Sequence, residues 1–268
     1  MRRLAPALAL ALAILTAVPA FAAGCGDTAS GFDAWKGEFA AEARRAGVGD
    51  RGIDALMKAR YSTKTINADR NQKGVKYSFE RFVQIRLGSL DSFANGARKR
   101  INQNKAFYDS LEKHFGVPAG IVVAIHGMET GYGRTMGSEP VINSILTVAY
   151  DCRRPQLFRP HAIAALKMVD RGMLSPGQKG AFHGELGHTQ FLPGNAMRYG
   201  VDANGDGRVD FYNQADALAS TANFLRQKGW KRGQPFGPGT HNFRVLNEWN
   251  AATVYQQAIA AAAERIGR

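Results

Sequence analysis

The sequence predicts a mainly α-helical protein, and three observations lead to this fold class. Apolar residues recur at intervals of three and four along most of the chain after residue 30, which is the spacing of one buried helix face. No run alternates apolar and polar residues for more than a few positions, as a strand would. Hydrophobic residues make up 45% of the 268 residues, so the chain can bury a sizeable core.

The first 22 residues are typical of a secretory signal peptide. Two arginines precede an apolar run over residues 4–18, and the small-residue site AFA ends at Ala22. The run is too short and too rich in alanine for a membrane span. We therefore expect residues 1–22 to be cleaved and residues 23–268 to be exported to the periplasm as one domain.

The chain has two cysteines, Cys25 and Cys152, and both lie in the part predicted to be exported. Oxidation is permitted outside the cytoplasm, so we predict a disulfide that ties the new N-terminus to the body of the domain. A competing interpretation takes the AGC sequence at residues 23–25 as a weak lipoprotein-processing signal, with a lipid on Cys25. The two interpretations exclude each other, because one sulfur cannot serve both.

The chain is strongly basic after the expected cleavage. Without the two arginines of the signal peptide, 33 basic and 22 acidic residues leave a formal charge of +11. This charge favours an anionic partner, such as a cell-wall polymer, a membrane surface or nucleic acid. The basic residues are scattered and lack the interleaved aromatic residues of nucleic-acid platforms, so we do not expect nucleic acid as the partner.

The predicted helices divide into an N-terminal part over about residues 30–115 and a core over about residues 116–268. The N-terminal part contains residues 32–46, 52–59, 79–87, 90–103 and 105–115; the core contains residues 118–130, 142–150, 160–171, 195–199, 216–228 and 253–266. Gly116 and Pro118 separate the two parts, because glycine ends helices and proline suits a first turn. Residues 233–241, with QPFGPG in their middle, form the clearest loop.

Glu129 stands in the last turn of a helix whose apolar face includes Ile125 and Met128. The negative end of the helix dipole and partial desolvation both disfavour the carboxylate, so both raise the pKa of this group. A carboxyl group that keeps its proton near neutral pH can protonate the leaving oxygen of a glycosidic bond. The alternative is a solvated glutamate at an unfavourable helical position. His126, one turn earlier, is interpreted as a structural histidine.

Five motifs follow one another between about residues 107 and 255: GVPAGIVVAIHGMETGYGRTMG, YDCRRPQLF, GELGHTQFLPGNAMRYGVDANGDGRVDF, LASTANFLRQKGW and EWNAATVY. In this order they resemble the lytic murein transglycosylases of the B type. The resemblance implies a lysozyme-like helical domain that cleaves the β-1,4 bond between N-acetylmuramic acid and N-acetylglucosamine in peptidoglycan, leaving a 1,6-anhydromuramoyl end. The segment between Trp230 and Trp249 is shorter than in larger members, so the chain resembles a compact member.

The resemblance implies that Glu129 is the single catalytic acid and base. Ordinary glycosidases need two carboxylates. Here the 6-hydroxyl of the sugar itself would act as the nucleophile, so proximity replaces the second carboxylate.

The resemblance also implies a set of substrate-binding residues, namely Arg153, Arg154, Gln190, Phe224, Asn250 and Tyr255. The last two match a polar pair that borders the catalytic acid in the family. Guanidinium groups can hold lactyl or peptide carboxylates, and side-chain amides offer a donor and an acceptor to sugar groups. The chain departs from the family at Ala181, where a serine is usual, at Phe224, where a tyrosine is common, and at Leu157, which replaces an aromatic residue. These departures concern glycan binding and not the reaction.

The segment DANGDGRVDFYNQAD has the spacing of an EF-hand calcium loop, with a glycine at the sixth position where the loop turns sharply. The predicted ligands in the loop are Asp202, Asn204, Asp206 and the main-chain carbonyl of Arg208, and Asp210 either binds through a water or braces the loop.

The twelfth position of this loop lacks the usual bidentate glutamate, since Asn213 stands there. The resemblance places the last acidic ligand three residues later, at Asp216. We therefore predict an EF-hand-like loop with a structural Ca²⁺ of weak affinity, on the order of 10⁻⁴ to 10⁻³ M. The alternative is a polar turn that holds only water.

Two other functions compete with the transglycosylase. A muramidase that uses water would need a second carboxylate beside Glu129, and Glu185 and Asp151 are the candidates. A noncatalytic protein on the same scaffold would bind peptidoglycan or calcium, but the acidic residue in the MET motif favours the enzyme. We expect a monomer that needs no organic cofactor. Its expected partners are the glycan strands of peptidoglycan, and membership of a wall-associated complex is left open.

Overall fold

The computed structural model describes residues 23–71 and 77–268, so the predicted signal peptide lies outside the described residues. Within these ranges the chain forms thirteen α-helices and one antiparallel pair of two-residue strands, which confirms the mainly α-helical prediction. The helices are α1 (Phe32–Arg45), α2 (Asp50–Lys58), α3 (Thr63–Arg70), α4 (Phe79–Leu87), α5 (Leu90–Gln103), α6 (Lys105–Phe115), α7 (Ala119–Thr130), α8 (Val141–Tyr150), α9 (Pro155–Asp170), α10 (Pro193–Tyr199), α11 (Gln214–Gln227), α12 (His241–Trp249) and α13 (Thr253–Ile266), and the strands are β1 (Glu139–Pro140) and β2 (Lys179–Gly180). None of the helices described is long and apolar enough to cross a membrane.

Helix α7 lies at the centre of the molecule. Its residues Ile121 to Ile125 are completely buried, and it packs against α5, α6, α11 and α13. A helical segment that is apolar on every side, as Ile121 to Ile125 is, must be buried on every side, which is why it is central. Gly131 ends the helix in the left-handed conformation, with φ of +57°, where a residue without a Cβ is favoured. Glu129 therefore stands at the end of a helix whose middle turns are completely buried.

Helix α3 was not predicted. Its sequence TKTINADR is polar, with buried side chains only at Thr65, Ile66 and Asp69, so it has little apolar periodicity. The helix begins because the Ser62 hydroxyl accepts a hydrogen bond from the Thr65 N–H at 3.1 Å, which satisfies one of the free donors of the first turn.

Helix α9 begins at Pro155, whereas the sequence predicted a start at Pro160. Both prolines can occupy a first turn, and the structure uses Pro155 there while Pro160 lies inside the helix. An internal proline removes one backbone hydrogen bond, and the burial of Phe158 and Leu166 on the same helix offsets that loss.

Helix α12 was not predicted either, since the loop prediction extended to its first residue, His241. The Thr240 hydroxyl caps it by accepting a hydrogen bond from the Phe243 N–H at 3.2 Å. Phe243, Val245 and Leu246 bury its inner face. Trp249 is the last residue of this helix, and its indole reaches the candidate site described below.

The predicted disulfide between Cys25 and Cys152 is present and joins residues 127 positions apart. Beside it, the N–H of Gly26 donates to the carbonyl of Tyr150 at 3.1 Å. The Tyr150 hydroxyl in turn donates to the carbonyl of Thr28 at 3.0 Å. The start of the described chain is thus fixed to the end of α8 by one covalent bond and two hydrogen bonds.

We expect the Cys25→Ser, Cys152→Ser double variant to fold and to be less stable than the wild type. A cross-link over 127 residues stabilises by at most about 5 kcal/mol in the chain-entropy view. The value should be lower here, because Cys25 lies only two residues after the first described residue, Ala23. Urea unfolding of both proteins, with and without a reductant, measures the difference. If reduction leaves the unfolding midpoint of the wild type unchanged, the bond contributes nothing. A lipid mass on Cys25 in protein from its native host would support the competing interpretation.

Candidate active site

A pocket of about 260 Å³ opens beside the end of α7. Glu129 lines it, and so do three of the predicted substrate residues, Gln190, Phe224 and Asn250. Trp249 and Glu185 also line this pocket, close to Glu129 in its wall. Residues far apart in sequence thus meet around one carboxyl group.

The carboxyl group of Glu129 is held by two donors on the same oxygen. Its Oε1 accepts hydrogen bonds from the Tyr255 hydroxyl at 2.5 Å and from the Trp249 indole Nε1 at 3.1 Å. Among the described residues, none donates a hydrogen bond to Oε2. Because Oε1 already accepts two hydrogen bonds, the proton of the neutral acid belongs on Oε2.

Burial raises the pKa of Glu129 above its ordinary value, and the negative charge of Glu185 raises it further. The hydrogen bonds from Tyr255 and Trp249 and the positive charge of Arg86 act in the opposite direction without cancelling the effect of burial. Glu129 therefore keeps its proton to a higher pH than an exposed glutamate, as a general acid requires.

Tyr255 keeps its hydroxyl proton and so remains a hydrogen-bond donor to Glu129. Burial and the neighbouring Glu129 raise the pKa of Tyr255 well above its ordinary value. Its ring packs edge-on against Phe82 with centroids 6.0 Å apart. The resemblance implied that Tyr255 borders the catalytic acid, and its hydroxyl does contact Glu129 in the structure.

Trp249 was not among the predicted site residues. Its ring packs edge-on against Phe191 at 5.2 Å and against Phe224 at 5.3 Å, which fixes the indole N–H towards Glu129. Phe224 is almost completely buried, so it supports Trp249 from below as well as lining the pocket. The only sequence signal for Trp249 was its place at the start of the WNAATVY segment.

Gln190 and Asn250 present amides at the pocket. Gln190 has a left-handed backbone with φ of +57°, a strained conformation for a residue with a side chain, and its Nε2 donates to the carbonyl of Gly187 at 2.8 Å. The Asn250 Oδ1 accepts the N–H of Ala252 at 3.0 Å. Both side chains are therefore oriented before any ligand arrives.

Arg153 and Arg154 lie outside the lining of this pocket. Both guanidinium groups pair with Asp69, which is 3% exposed, and the Arg153 contact measures 2.5 Å. Burial disfavours the charge of Asp69, but the two arginines outweigh it and lower the pKa of Asp69. Their predicted contact with glycan stays a prediction.

The two candidates for a second carboxylate are placed differently. Asp151 is buried, pairs with Arg70 at 2.7 Å and is not part of the pocket lining. Glu185 lines the pocket together with Glu129. The structure thus brings one of the two carboxylates to the site.

His126 is buried beneath the site, and its Nε2 lies 2.9 Å from Nδ1 of His188. Burial, with smaller effects from His188 and Arg100, lowers the pKa of His126 to about 3. The imidazole is therefore neutral at physiological pH and bridges α7 to the loop that carries Gln190, as a structural histidine would.

Carboxylate side chains within the predicted calcium loop accept hydrogen bonds from its backbone N–H groups. Asp202 accepts the N–H groups of Gly205 at 2.7 Å and of Gly207 at 2.8 Å. Asp206 accepts the N–H of Arg208 at 2.9 Å. These are local side-chain to backbone bonds of the kind that close Asx turns.

Asp216 is completely buried and holds the two sides of the loop together. One of its oxygens accepts the N–H of Ala203 at 2.9 Å and the N–H of Asn204 at 3.3 Å, and the other accepts the N–H of Asp210 at 2.9 Å.

The donor set of the loop consists of carboxylate, amide and carbonyl oxygens, the ligands that Ca²⁺ prefers, so the residues fit the ion chemically. Nevertheless, no group of three or more acidic, histidine or cysteine side chains in the described part of the chain is gathered closely enough to hold a metal. Ca²⁺ binding would have to draw the carboxylates together.

Comparisons with known proteins give a consistent result. The family model of the transglycosylase SLT domain matches residues 31–240. The chain is 35% identical over 121 residues to the membrane-bound lytic murein transglycosylase B of Escherichia coli strain K12, a match that covers 44% of this chain and 34% of that protein. The chain therefore matches about a third of the length of this curated relative.

Two solved structures share the fold. SltB3 from Pseudomonas aeruginosa in complex with NAG-anhNAM-pentapeptide is similar with a TM-score of 0.80 and 26% identity, over 88% of this chain and 79% of that chain. The Escherichia coli lytic transglycosylase Slt35 in complex with calcium is similar with a TM-score of 0.76 and 21% identity, over 91% and 95%. The second likeness concerns the fold alone, and together they confirm the predicted lysozyme-like helical architecture.

We expect Glu129→Gln to stabilise the fold near neutral pH. Because burial raises the pKa of Glu129 in the folded state, its ionised form destabilises the fold at any pH above the folded-state value, and the effect fades as the pH falls to the unfolded-state value of about 4.3. Glutamine carries no charge and still offers an oxygen to Tyr255 and Trp249. Urea unfolding near pH 7 and near pH 4 should show a larger gain at the higher pH. An equal gain in unfolding free energy at the two pH values would mean that burial does not raise the pKa of Glu129.

Proposed function

The chain belongs to the transglycosylase SLT domain family, and on that premise we propose that it is a peptidoglycan lytic transglycosylase with Glu129 as its single acid and base. The reaction cleaves the β-1,4 bond between N-acetylmuramic acid and N-acetylglucosamine and leaves a 1,6-anhydromuramoyl end. The observation that carries this proposal is the buried carboxyl group of Glu129, held on one oxygen by Tyr255 and Trp249 and open to the pocket.

In the first step Oε2 of Glu129 gives its proton to the glycosidic oxygen, and the bond from that oxygen to C1 of the muramoyl ring breaks. The positive charge that develops at the ring is stabilised by the carboxylate just formed. Tyr255 and Trp249 keep that carboxylate oriented, since both donate to Oε1.

In the second step the 6-hydroxyl of the same sugar attacks C1, and its proton passes to Glu129. The acid is thereby restored, and no water is consumed. An intramolecular nucleophile reacts at a high effective concentration, so a second carboxylate is not required for this reaction. The raised pKa of Glu129 suits both steps, because one group must first donate and then accept a proton.

The location and partners of the protein follow from the same proposal. We propose an exported, periplasmic enzyme that acts on glycan strands. The relative SltB3 is known in complex with a NAG-anhNAM-pentapeptide, a fragment of the kind this reaction would release. The formal charge of +11 on residues 23–268 favours the anionic wall. A noncatalytic binding protein would have no use for a glutamate whose charge is disfavoured by burial.

We also propose that the loop from Asp202 to Asp216 binds Ca²⁺ in a structural role. The fold relative Slt35 is known in complex with calcium, and the loop here offers oxygen donors on Asp202, Asn204, Asp206, Asp210 and Asp216 and on the carbonyl of Arg208. When bound, the ion would screen the carboxylates from one another. The proton transfers of the reaction do not depend on it.

Glu129→Gln should fold and lose turnover, because an amide neither donates nor accepts the required proton. Purified sacculi are the substrate, and mass spectrometry of the soluble products is the measurement. The wild type should release fragments with anhydro ends. Glu38→Gln, which changes an exposed glutamate on α1, is the matched control and should keep the wild-type rate.

Three results would contradict the proposed function. Cleavage that persists in Glu129→Gln would place the acid elsewhere. Reducing ends from the wild type would identify a muramidase. An absence of any cleavage by the wild type, together with binding to sacculi, would favour the noncatalytic alternative.

Calcium should raise the melting temperature of the wild type with little change in catalytic rate. With a Kd of about 1 mM, about 10 mM Ca²⁺ stabilises the native state by about 1.4 kcal/mol. The Asp202→Ala, Asp206→Ala variant should lose this shift. Asp109→Ala, which removes an exposed carboxylate paired with Lys105, should keep it. The same shift in all three proteins would mean that the loop is not the calcium site.

A further inference from the structure

Glu185 is a pocket residue for which the single-glutamate reaction has no use. It lines the same pocket as Glu129, and its side chain is 23% exposed. The turn that carries it is fixed, because the N–H of Ala181 donates to the Glu185 carbonyl at 3.1 Å and the N–H of Gly184 donates to the Ala181 carbonyl at 3.1 Å. The Glu185 carboxylate is therefore held in a fixed position at the edge of the pocket.

His183 holds both oxygens of this carboxylate. The backbone N–H of His183 donates to Oε2 of Glu185 at 2.9 Å, and the ring Nδ1 lies 3.3 Å from Oε1. The other ring nitrogen, Nε2, lies 3.1 Å from Oδ1 of Asp69. A histidine that faces a carboxylate with each nitrogen donates to both only when both nitrogens carry protons. The geometry thus favours an imidazolium between two carboxylates.

The charges around His183 support this state. Burial opposes the protonated form, but Glu185 and Asp69 outweigh it and raise the pKa of His183 above its ordinary value. The ring is also stacked on Phe158, with centroids 5.9 Å apart and an angle of 8° between the planes. Its position is therefore fixed by packing as well as by charge.

Asp69 anchors the far end of the chain of contacts. It pairs with Arg153 and Arg154 and with His183 while being almost completely buried. The series of side-chain contacts runs from the two arginines through Asp69 and His183 to Glu185. Such a series of supporting contacts orients a side chain that must meet a ligand in one geometry.

We propose that Glu185 is a further substrate-binding residue: its carboxylate accepts a hydrogen bond from an acetamido N–H or a hydroxyl of the sugar bound beside Glu129, and His183 is the positioning residue that holds it. The proposal rests on the proposed glycan-cleaving function. Each carboxylate oxygen has two acceptor sites, so the contacts with His183 leave acceptor capacity for the pocket. Arg153 and Arg154 then assist glycan binding through Asp69.

The first test measures binding without turnover. The probe is the hexasaccharide of β-1,4-linked N-acetylglucosamine, titrated by calorimetry into Glu129→Gln and into Glu129→Gln, Glu185→Gln. The second protein should bind about tenfold more weakly, since it lacks a charge-assisted hydrogen bond. Glu129→Gln, His183→Gln should lose affinity in the same direction, because the carboxylate is still present but no longer held.

Glu248 provides the matched control. It lines the same pocket, but its carboxylate pairs with Lys228 at 2.6 Å and is 44% exposed. Glu129→Gln, Glu248→Gln should lose much less affinity than the Glu185 variant. Equal losses would show that any negative charge in the pocket has this effect, and would overturn the specific role of Glu185.

The second test uses turnover on sacculi with Glu129 intact. Glu185→Gln should show a higher KM, a smaller change in kcat and unchanged anhydro products. Loss of turnover with unchanged hexasaccharide affinity would overturn the proposal and identify Glu185 as an acid or base. Unchanged affinity and unchanged kinetics would overturn it as well, and so would a Glu129→Gln protein that does not bind the hexasaccharide. If the wild type cleaves nothing while the affinity difference persists, only the cleavage function fails.

Discussion

The burial of α7 on all sides is the constraint on which the rest of the structure depends. A helix with no polar face can exist only where other helices surround it, and α5, α6, α11 and α13 do so. The C-terminal end of such a helix is a poor place for a carboxylate, because desolvation and the helix dipole both act against the charge. Glu129 stands there, so the packing of the core determines the chemistry of the acid.

The environment of Glu129 is balanced and not simply apolar. Tyr255 and Trp249 both donate to one oxygen, which makes the charged form attainable, while burial keeps the neutral form favoured. A group without donors would hold its proton too tightly to act as an acid, and a solvated one would have lost it. The aromatic contacts of Trp249 with Phe191 and Phe224 maintain this balance, since they fix the direction of the indole N–H.

Much of the fold could be predicted from local sequence patterns. The bounds of α4, α5 and α6 agree with the prediction, because apolar periodicity and glycine or proline punctuation are local signals. Helix α3 escaped prediction because its burial is slight and its residues polar, and α12 because a glycine-rich loop precedes it. In both, a single hydroxyl cap from Ser62 or Thr240 and the packing of neighbouring elements decide the conformation.

The sequence by itself determined the helical class, the placement of Glu129 at the end of an apolar helix and the two cysteines that form the disulfide, because each is a matter of local periodicity or residue chemistry. Only the tertiary structure decided what surrounds the acid. Trp249 is 120 positions from Glu129, and Asp69 is 114 positions from His183. Local patterns carry no information about which distant polar groups meet, since that depends on how the buried faces of the helices pack. The direction of the Trp249 indole and the chain from Arg153 to Glu185 therefore became visible only in three dimensions.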